Sequence, residues 1–154
     1  MHLTLLSVGK MRASPELTLV EIYVDRFRKS GAALGLRSLS LVEVASGGGK
    51  DAEGARILSA LPAQSEVLRL DEHGKQWSST KLAQDLARRR DQGVGHLTFI
   101  IGGAEGYSQA VIEACPHTLG LGVQTWPHRF VRFMIAEQLY RAASILAGTP
   151  YHKA

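Results

Sequence analysis

The sequence predicts an α/β fold, a parallel sheet flanked by helices, on two observations. Short apolar runs alternate with stretches of helical period along the chain, and the changes fall at glycines, prolines or capping hydroxyls. Parallel strands need crossovers and helices fill that role, so this alternation implies a parallel sheet.

The elements come in order. The first strand covers 3–8, Leu3-Thr4-Leu5-Leu6-Ser7-Val8. Ser14 then offers an N-cap and Pro15 suits the first helical turn. Leu17, Val20, Val24 and Phe27 recur at helical spacing, giving a helix that ends before Gly31. A second strand over 38–44 precedes the run Gly47-Gly48-Gly49. The helix predicted over about 51–61 carries Ile57, Leu58 and Leu61 on one side and stops at Pro62. Strand three is 66–70. Ser78 or Ser79 caps a helix in which Leu82 and Leu86 face inward, ending near Gly93. Strand four, 97–101, runs straight into Gly102-Gly103-Ala104-Glu105-Gly106. Ser108 caps a short helix that Pro116 ends, and strand five is predicted over 119–123. The last helix opens at Pro127 and closes at Gly148, with Val131, Ile135, Leu139, Ala142 and Leu146 as its buried stripe. No repeat, low-complexity tract or linker interrupts the pattern, so 1–154 reads as one domain.

Composition narrows the function. A chain of 154 residues, 45% hydrophobic and 21% charged, can bury a single core, which argues against disorder. No apolar run approaches the roughly 18 residues of a membrane span. The first eight residues are too short and uncharged for a signal peptide. A single cysteine, Cys115, makes no internal disulfide, so a reducing cytoplasm is the expected setting. The net charge of +4, with Arg88-Arg89-Arg90 near Lys75 and Lys81, permits a nucleic-acid partner without establishing one. The six histidines show no metal-ligand spacing, so no metal site is expected. There is no Gly-x-Ser-x-Gly elbow for a hydrolase nucleophile, and no dinucleotide or phosphate-loop fingerprint.

Ligands of open α/β sheets sit beyond the carboxyl ends of strands. Two segments have the chemistry for that place. Ile100-Ile101-Gly102-Gly103-Ala104-Glu105-Gly106 takes a buried strand into glycines, which let a ligand approach the backbone or simply turn the chain. Leu119-Gly120-Leu121-Gly122-Val123-Gln124-Thr125-Trp126 puts two glycines in a strand-like run, which suggests close approach by another backbone or a flat ligand. Trp126 has the surface to cover a purine or to fill a core or interface. The tail Thr149-Pro150-Tyr151-His152-Lys153-Ala154 combines an aromatic ring, an imidazole and an ammonium, either to engage RNA or as a plain polar end.

Taken in order, these motifs resemble the ribosomal RNA large-subunit methyltransferase H family of the SPOUT superfamily. The resemblance rests on Leu5-Leu6-Ser7-Val8-Gly9-Lys10, Leu70-Asp71-Glu72-His73-Gly74-Lys75 with Ser78-Ser79, and the Gly102 segment. Trp126-Pro127-His128 with Arg132, Glu137-Gln138-Leu139-Tyr140-Arg141-Ala142 and the terminal Pro150-Tyr151-His152-Lys153 complete it. It spans nearly the whole chain, and the ordered set is far more specific than any one motif. Four features depart from the common pattern: Ala104 where proline or serine is frequent, Tyr107 where leucine is, Trp126 for a smaller apolar residue, and Gly47-Gly48-Gly49.

The resemblance implies a C-terminal deep trefoil knot, a rare exception to chain topology, and a homodimer. It implies S-adenosyl-L-methionine as methyl donor, held at Leu70, Gly102, Leu121, Gly122, Val123, Gln124, Thr125 and Trp126. The implied target is N3 of a pseudouridine in 23S ribosomal RNA, within an assembled ribosome. Arg132 and Arg141 are then expected to act electrostatically on RNA or the developing anion. Tyr151 is expected to stack on the base and His152 to accept its proton. Glu137 and Arg141 also have the i,i+4 spacing of a structural ion pair. The competing expectation is a non-catalytic ribosome-binding factor of the same fold.

Overall fold

The computed structural model describes residues 1–153; Ala154 lies outside the described residues. Its strands are β1 (His2–Val8), β2 (Ser38–Val44), β3 (Glu66–Leu70), β4 (His96–Ile101) and β5 (Thr118–Leu119). The helices between them are α1 (Pro15–Gly31), α2 (Gly49–Ala60), α3 (Ser79–Asp91), α4 (Gln109–Ala114) and α5 (His128–Leu146). The five strands form one sheet in the order β2-β1-β4-β3-β5, every pair parallel.

Local chemistry explains most boundaries. The hydroxyls of Ser14, Ser78 and Ser108 accept from the backbone N–H groups of Leu17, Lys81 and Val111, capping α1, α3 and α4. The helix after the glycine run begins at Gly49, earlier than the sequence suggests. Gly47, Gly48 and Gly49 take φ of +100°, +84° and +82°, a left-handed path that delivers the chain directly into the helix.

Alternation along each strand sends side chains to opposite faces. Leu3 and Leu5 of β1, Leu68 and Leu70 of β3, and Leu97, Phe99 and Ile101 of β4 enter one core with Val24, Phe27, Leu86, Ile135 and Leu139. Leu6, Val8 and Ile100 enter the other, with Ile57, Val111 and Cys115. Thus α1, α3 and α5 cover one face and α2 and α4 the other. Ile135, Leu139 and Ala142 of the expected α5 stripe are fully buried, while Val131 and Leu146 pack at its margin.

The predicted strand over 119–123 is corrected: β5 stops at Leu119. Gly122 takes φ of +108°, incompatible with an extended strand. Beyond Leu119 the chain becomes a loop that crosses the segment leaving β3.

At the amino ends of the strands, the His96 ring bonds the Thr4 hydroxyl at 3.0 Å and lies 5.8 Å from the His2 ring. Burial, then His2 and the N-terminal amine, lower the His96 pKa below 6.5. The unfolded chain therefore binds the proton more readily, and stability falls as pH drops through 6.5. Thermal melts between pH 7.5 and 5.5 should show that loss, and His96→Gln should reduce it; an equal slope in both would contradict this assignment.

Candidate functional site

The carboxyl ends of β3, β4 and β5 converge where their loops cross. Asp71 N–H donates to the Leu119 carbonyl at 3.0 Å and Gly120 N–H to the Lys75 carbonyl at 2.9 Å, joining the two segments beyond the sheet. Gln76 stitches them further. Its carboxamide oxygen accepts from Gly122 N–H at 2.8 Å, and its amide donates toward the carbonyls of Gly74 and Gly122 at 3.3 Å. Gly74 is required here, because a Cβ would stand 3.0 Å from the Leu119 carbonyl carbon and 3.1 Å from Gly120 N.

Around this crossing lies an open cleft of about 510 Å³. Leu70, Gly102, Leu121, Gly122, Gln124, Thr125 and Trp126 all line it. Val123 does not. Its side chain is 83% exposed and turned to solvent, since the loop that replaces the expected strand no longer alternates inward. Two side chains order the outer wall: Trp126 donates its indole N–H to the Leu121 carbonyl at 3.1 Å, and the Thr125 hydroxyl donates to Glu72 at 2.8 Å.

Three further residues shape the floor. The Tyr107 ring fills the space beside Gly102, 3.0 Å from where a Cβ would sit, so this glycine's bareness accommodates a side chain rather than open cleft. Burial holds the Tyr107 phenol far above its ordinary range. Glu53 packs against Gly103 and accepts from Gly47 N–H at 2.8 Å. His128 lines the cleft at the start of α5, its pKa lowered by burial and then by Arg132. Sequence reasoning missed the roles of Gln76, Tyr107 and Glu53, because each rests on a contact distant in the chain. Only Tyr107 left a trace, as a departure from the family pattern.

The four expected catalytic residues separate into two places, and none lines this cleft. Arg141, Tyr151 and His152 meet on α5. Gly148, at φ +68°, reverses the chain, and Thr149 N–H donates to the Ser144 carbonyl, laying the tail back along the helix. The Tyr151 hydroxyl donates to Glu137 at 2.9 Å, and its ring lies 4.7 Å from the Arg141 guanidinium. Arg141 Nη2 pairs with Glu137 at 2.5 Å, the i,i+4 bridge its spacing allows, and Arg141 Nη1 approaches His152 Nδ1 at 3.5 Å. Burial, then Tyr23 and Glu137, push the Tyr151 phenol upward, and Glu137 raises the Arg141 guanidinium. Arg141 and Glu137 also border a second hollow, about 490 Å³, with Gly120, Leu121 and Gly122 among its walls.

Arg132 sits apart. It pairs with Glu43 at 2.8 Å and donates to the carbonyls of Val8 and Gly9 at 2.7 and 2.8 Å, tying α5 to the end of β1.

Among the described residues no group of three or more His, Cys, Asp or Glu is placed to hold a metal ion, and no helix is long and apolar enough to cross a membrane.

A parallel sheet with a backbone-crossed cleft at its carboxyl edge defines a class. Residues 1–152 match the family described as "Predicted SPOUT methyltransferase". Among full-length relatives, the protein named ribosomal RNA large subunit methyltransferase H of Hyphomonas neptunium is 51% identical over all of both chains. Proteins of the same name from Dinoroseobacter shibae and Caulobacter vibrioides are 47% and 45% identical, with 99% of each chain covered. The chain belongs to the ribosomal RNA large-subunit methyltransferase H family of SPOUT methyltransferases.

Replacing Arg132 by Met removes the ion-pair partner of Glu43, which keeps its bond from Met11 N–H, and takes the donor from two carbonyls. It should cost on the order of 3 kcal/mol in urea unfolding; a loss under about 0.5 kcal/mol would show that these contacts do not hold α5.

Proposed function

We propose that this chain is an S-adenosyl-L-methionine-dependent methyltransferase, modifying N3 of a pseudouridine in 23S ribosomal RNA of the assembled ribosome. The observation that carries this reading is the strand-end cleft, in which seven of the eight expected cofactor residues meet. Its volume of about 510 Å³ lies within the range of small-molecule sites. Glycine-rich backbone and Trp126 line it beside the charged side chains of Asp71, Glu72 and Glu105, a lining that suits a nucleoside carrying a cationic group. The full-length relatives named as ribosomal RNA methyltransferases support the substrate class. A cytoplasmic location goes with such a substrate. The loop crossing at Gly74 and Gly120 is where the chain would be tied in a trefoil knot.

The donor, when bound, supplies an electrophilic methyl carbon on a sulfonium. The chain has to hold the base in line and manage the N3 proton, and orientation of this kind contributes roughly 7–11 kcal/mol without a covalent intermediate. In this reading Tyr151 stacks on the base, His152 takes the proton, and Arg141, aimed by Glu137, offsets charge on the deprotonated ring. Arg132 acts from further away, fixing the start of α5 on which His128 lies. Among the described residues the tail does not line the cleft of its own chain, so a homodimer fits: the tail of one protomer completes the partner's site. Exposed Leu19 and Ile22 on α1, and Phe130 on α5 with Trp126 just before it, offer apolar surface for such pairing.

Mass spectrometry of 23S ribosomal RNA tests the reading in cells lacking this chain, complemented by the full chain or by one ending at Gly148. The full chain should restore one methyl on a pseudouridine. The shortened chain should restore none, although it still binds the donor in calorimetry. An unmethylated site with the full chain, together with no donor binding, would favour a ribosome-binding factor without chemistry; methylation by the shortened chain would remove the tail from the reaction.

A further inference from the structure

Pairing between β3 and β4 runs as far as Arg69 with Ile100. Just beyond, where the next ladder contacts would form, stands the Tyr107 hydroxyl. It lies 3.0 Å from Gly102 N, 2.9 Å from the Leu70 carbonyl and 2.8 Å from the Ile100 carbonyl. A phenol has one proton to give and lone pairs with which to accept. It therefore accepts from Gly102 N–H and donates to only one of the two carbonyls at a time.

The ring cannot easily leave. It packs beside Ile57, Val111 and Cys115 on one side of the sheet. The Arg69 guanidinium lies 5.1 Å from its centroid and is itself fastened to the Cys115 carbonyl at 2.6 Å and to Asp71 at 3.3 Å. The phenol, pushed upward by burial, keeps its proton at any working pH. Of the three backbone partners, Leu70 and Gly102 line the cleft and Ile100 does not.

We infer that Tyr107 is a specificity-determining residue that makes this stretch of the cleft accept hydrogen bonds and offer none. The one N–H there, of Gly102, is masked by the phenol oxygen. When a ligand arrives, the phenol proton goes to the Ile100 carbonyl and the Leu70 carbonyl receives an N–H from the ligand's base. A purine bearing an exocyclic amino group satisfies that edge. One bearing an oxo group in its place sets a lone pair against a carbonyl oxygen and is rejected, because a polar pair left unmatched in a confined site costs more than a match returns.

This inference rests on the proposed binding of an adenosyl donor in the cleft, and the test separates the two. Calorimetry compares S-adenosylhomocysteine with S-inosylhomocysteine, which carries the oxo group, on the intact chain and on Tyr107→Phe. The intact chain should prefer the adenosyl compound by about tenfold or more. In Tyr107→Phe the uncovered Gly102 N–H can meet an oxo group, so the preference should fall about tenfold toward parity, with the adenosyl compound still bound. Equal affinities in the intact chain overturn the inference even if the variant fails to fold, and so does an unchanged preference in a folded Tyr107→Phe. If the intact chain binds neither compound, the donor reading fails and takes this inference with it.

Discussion

The contact between the backbones leaving β3 and β5 is the constraint on which the site depends. Two peptide chains can cross this closely only where one presents no side chain, and Gly74 does so against Leu119 and Gly120. Backbone bonds from Asp71 to Leu119 and from Gly120 to Lys75 then fix the crossing, and Gln76 locks Gly122 to it. The cleft is what this arrangement leaves on one side. Where the loops meet, the chain is bare backbone, because Gly74 leaves no room for a side chain there.

Backbone exposed at a site has a particular chemistry. Amides and carbonyls at strand ends carry no net charge, so they suit the neutral base of a nucleoside. Charged side chains, Asp71, Glu72 and Glu105 among them, line the same cleft. The ionised cluster of Glu137, Arg141 and the tail lies on α5, across Gly120–Gly122 from the cleft, and Arg132 is spent on holding α5 to β1. Leu121 and Gly122 wall both hollows, so they form the partition between them.

Most of the fold is legible because it is written in period and punctuation. Ser14, Ser78 and Ser108 cap the helices their positions imply, and β2 and β3 have the predicted bounds. The misreading of β5 has a physical cause. Leu119-Gly120-Leu121-Gly122-Val123 alternates as a strand does, yet alternation carries no information about the positive φ of Gly122 or the Gln76 side chain that pairs with it. The outward turn of the Val123 side chain has the same origin. The Glu137–Arg141 pair can be read from spacing because it is local to one helix. The reversal that lays Tyr151 on them needs the left-handed turn at Gly148, which the sequence marks only as a helix end. Tyr107 is visible as an unusual residue, but its three backbone partners lie in β3, in β4 and just past β4, and cannot be found by pattern.

In the proposed function, exposed backbone at the crossed strand ends grips the adenosyl group of the donor. Amide hydrogen exchange with and without S-adenosylhomocysteine probes that grip without an intermediary, because it reads each backbone N–H in turn. Slowed exchange is expected at 103 and 121–126, with little change along α1 and α2. Uniform exchange despite saturation, or protection centred on the α1 and α2 amides, would contradict it.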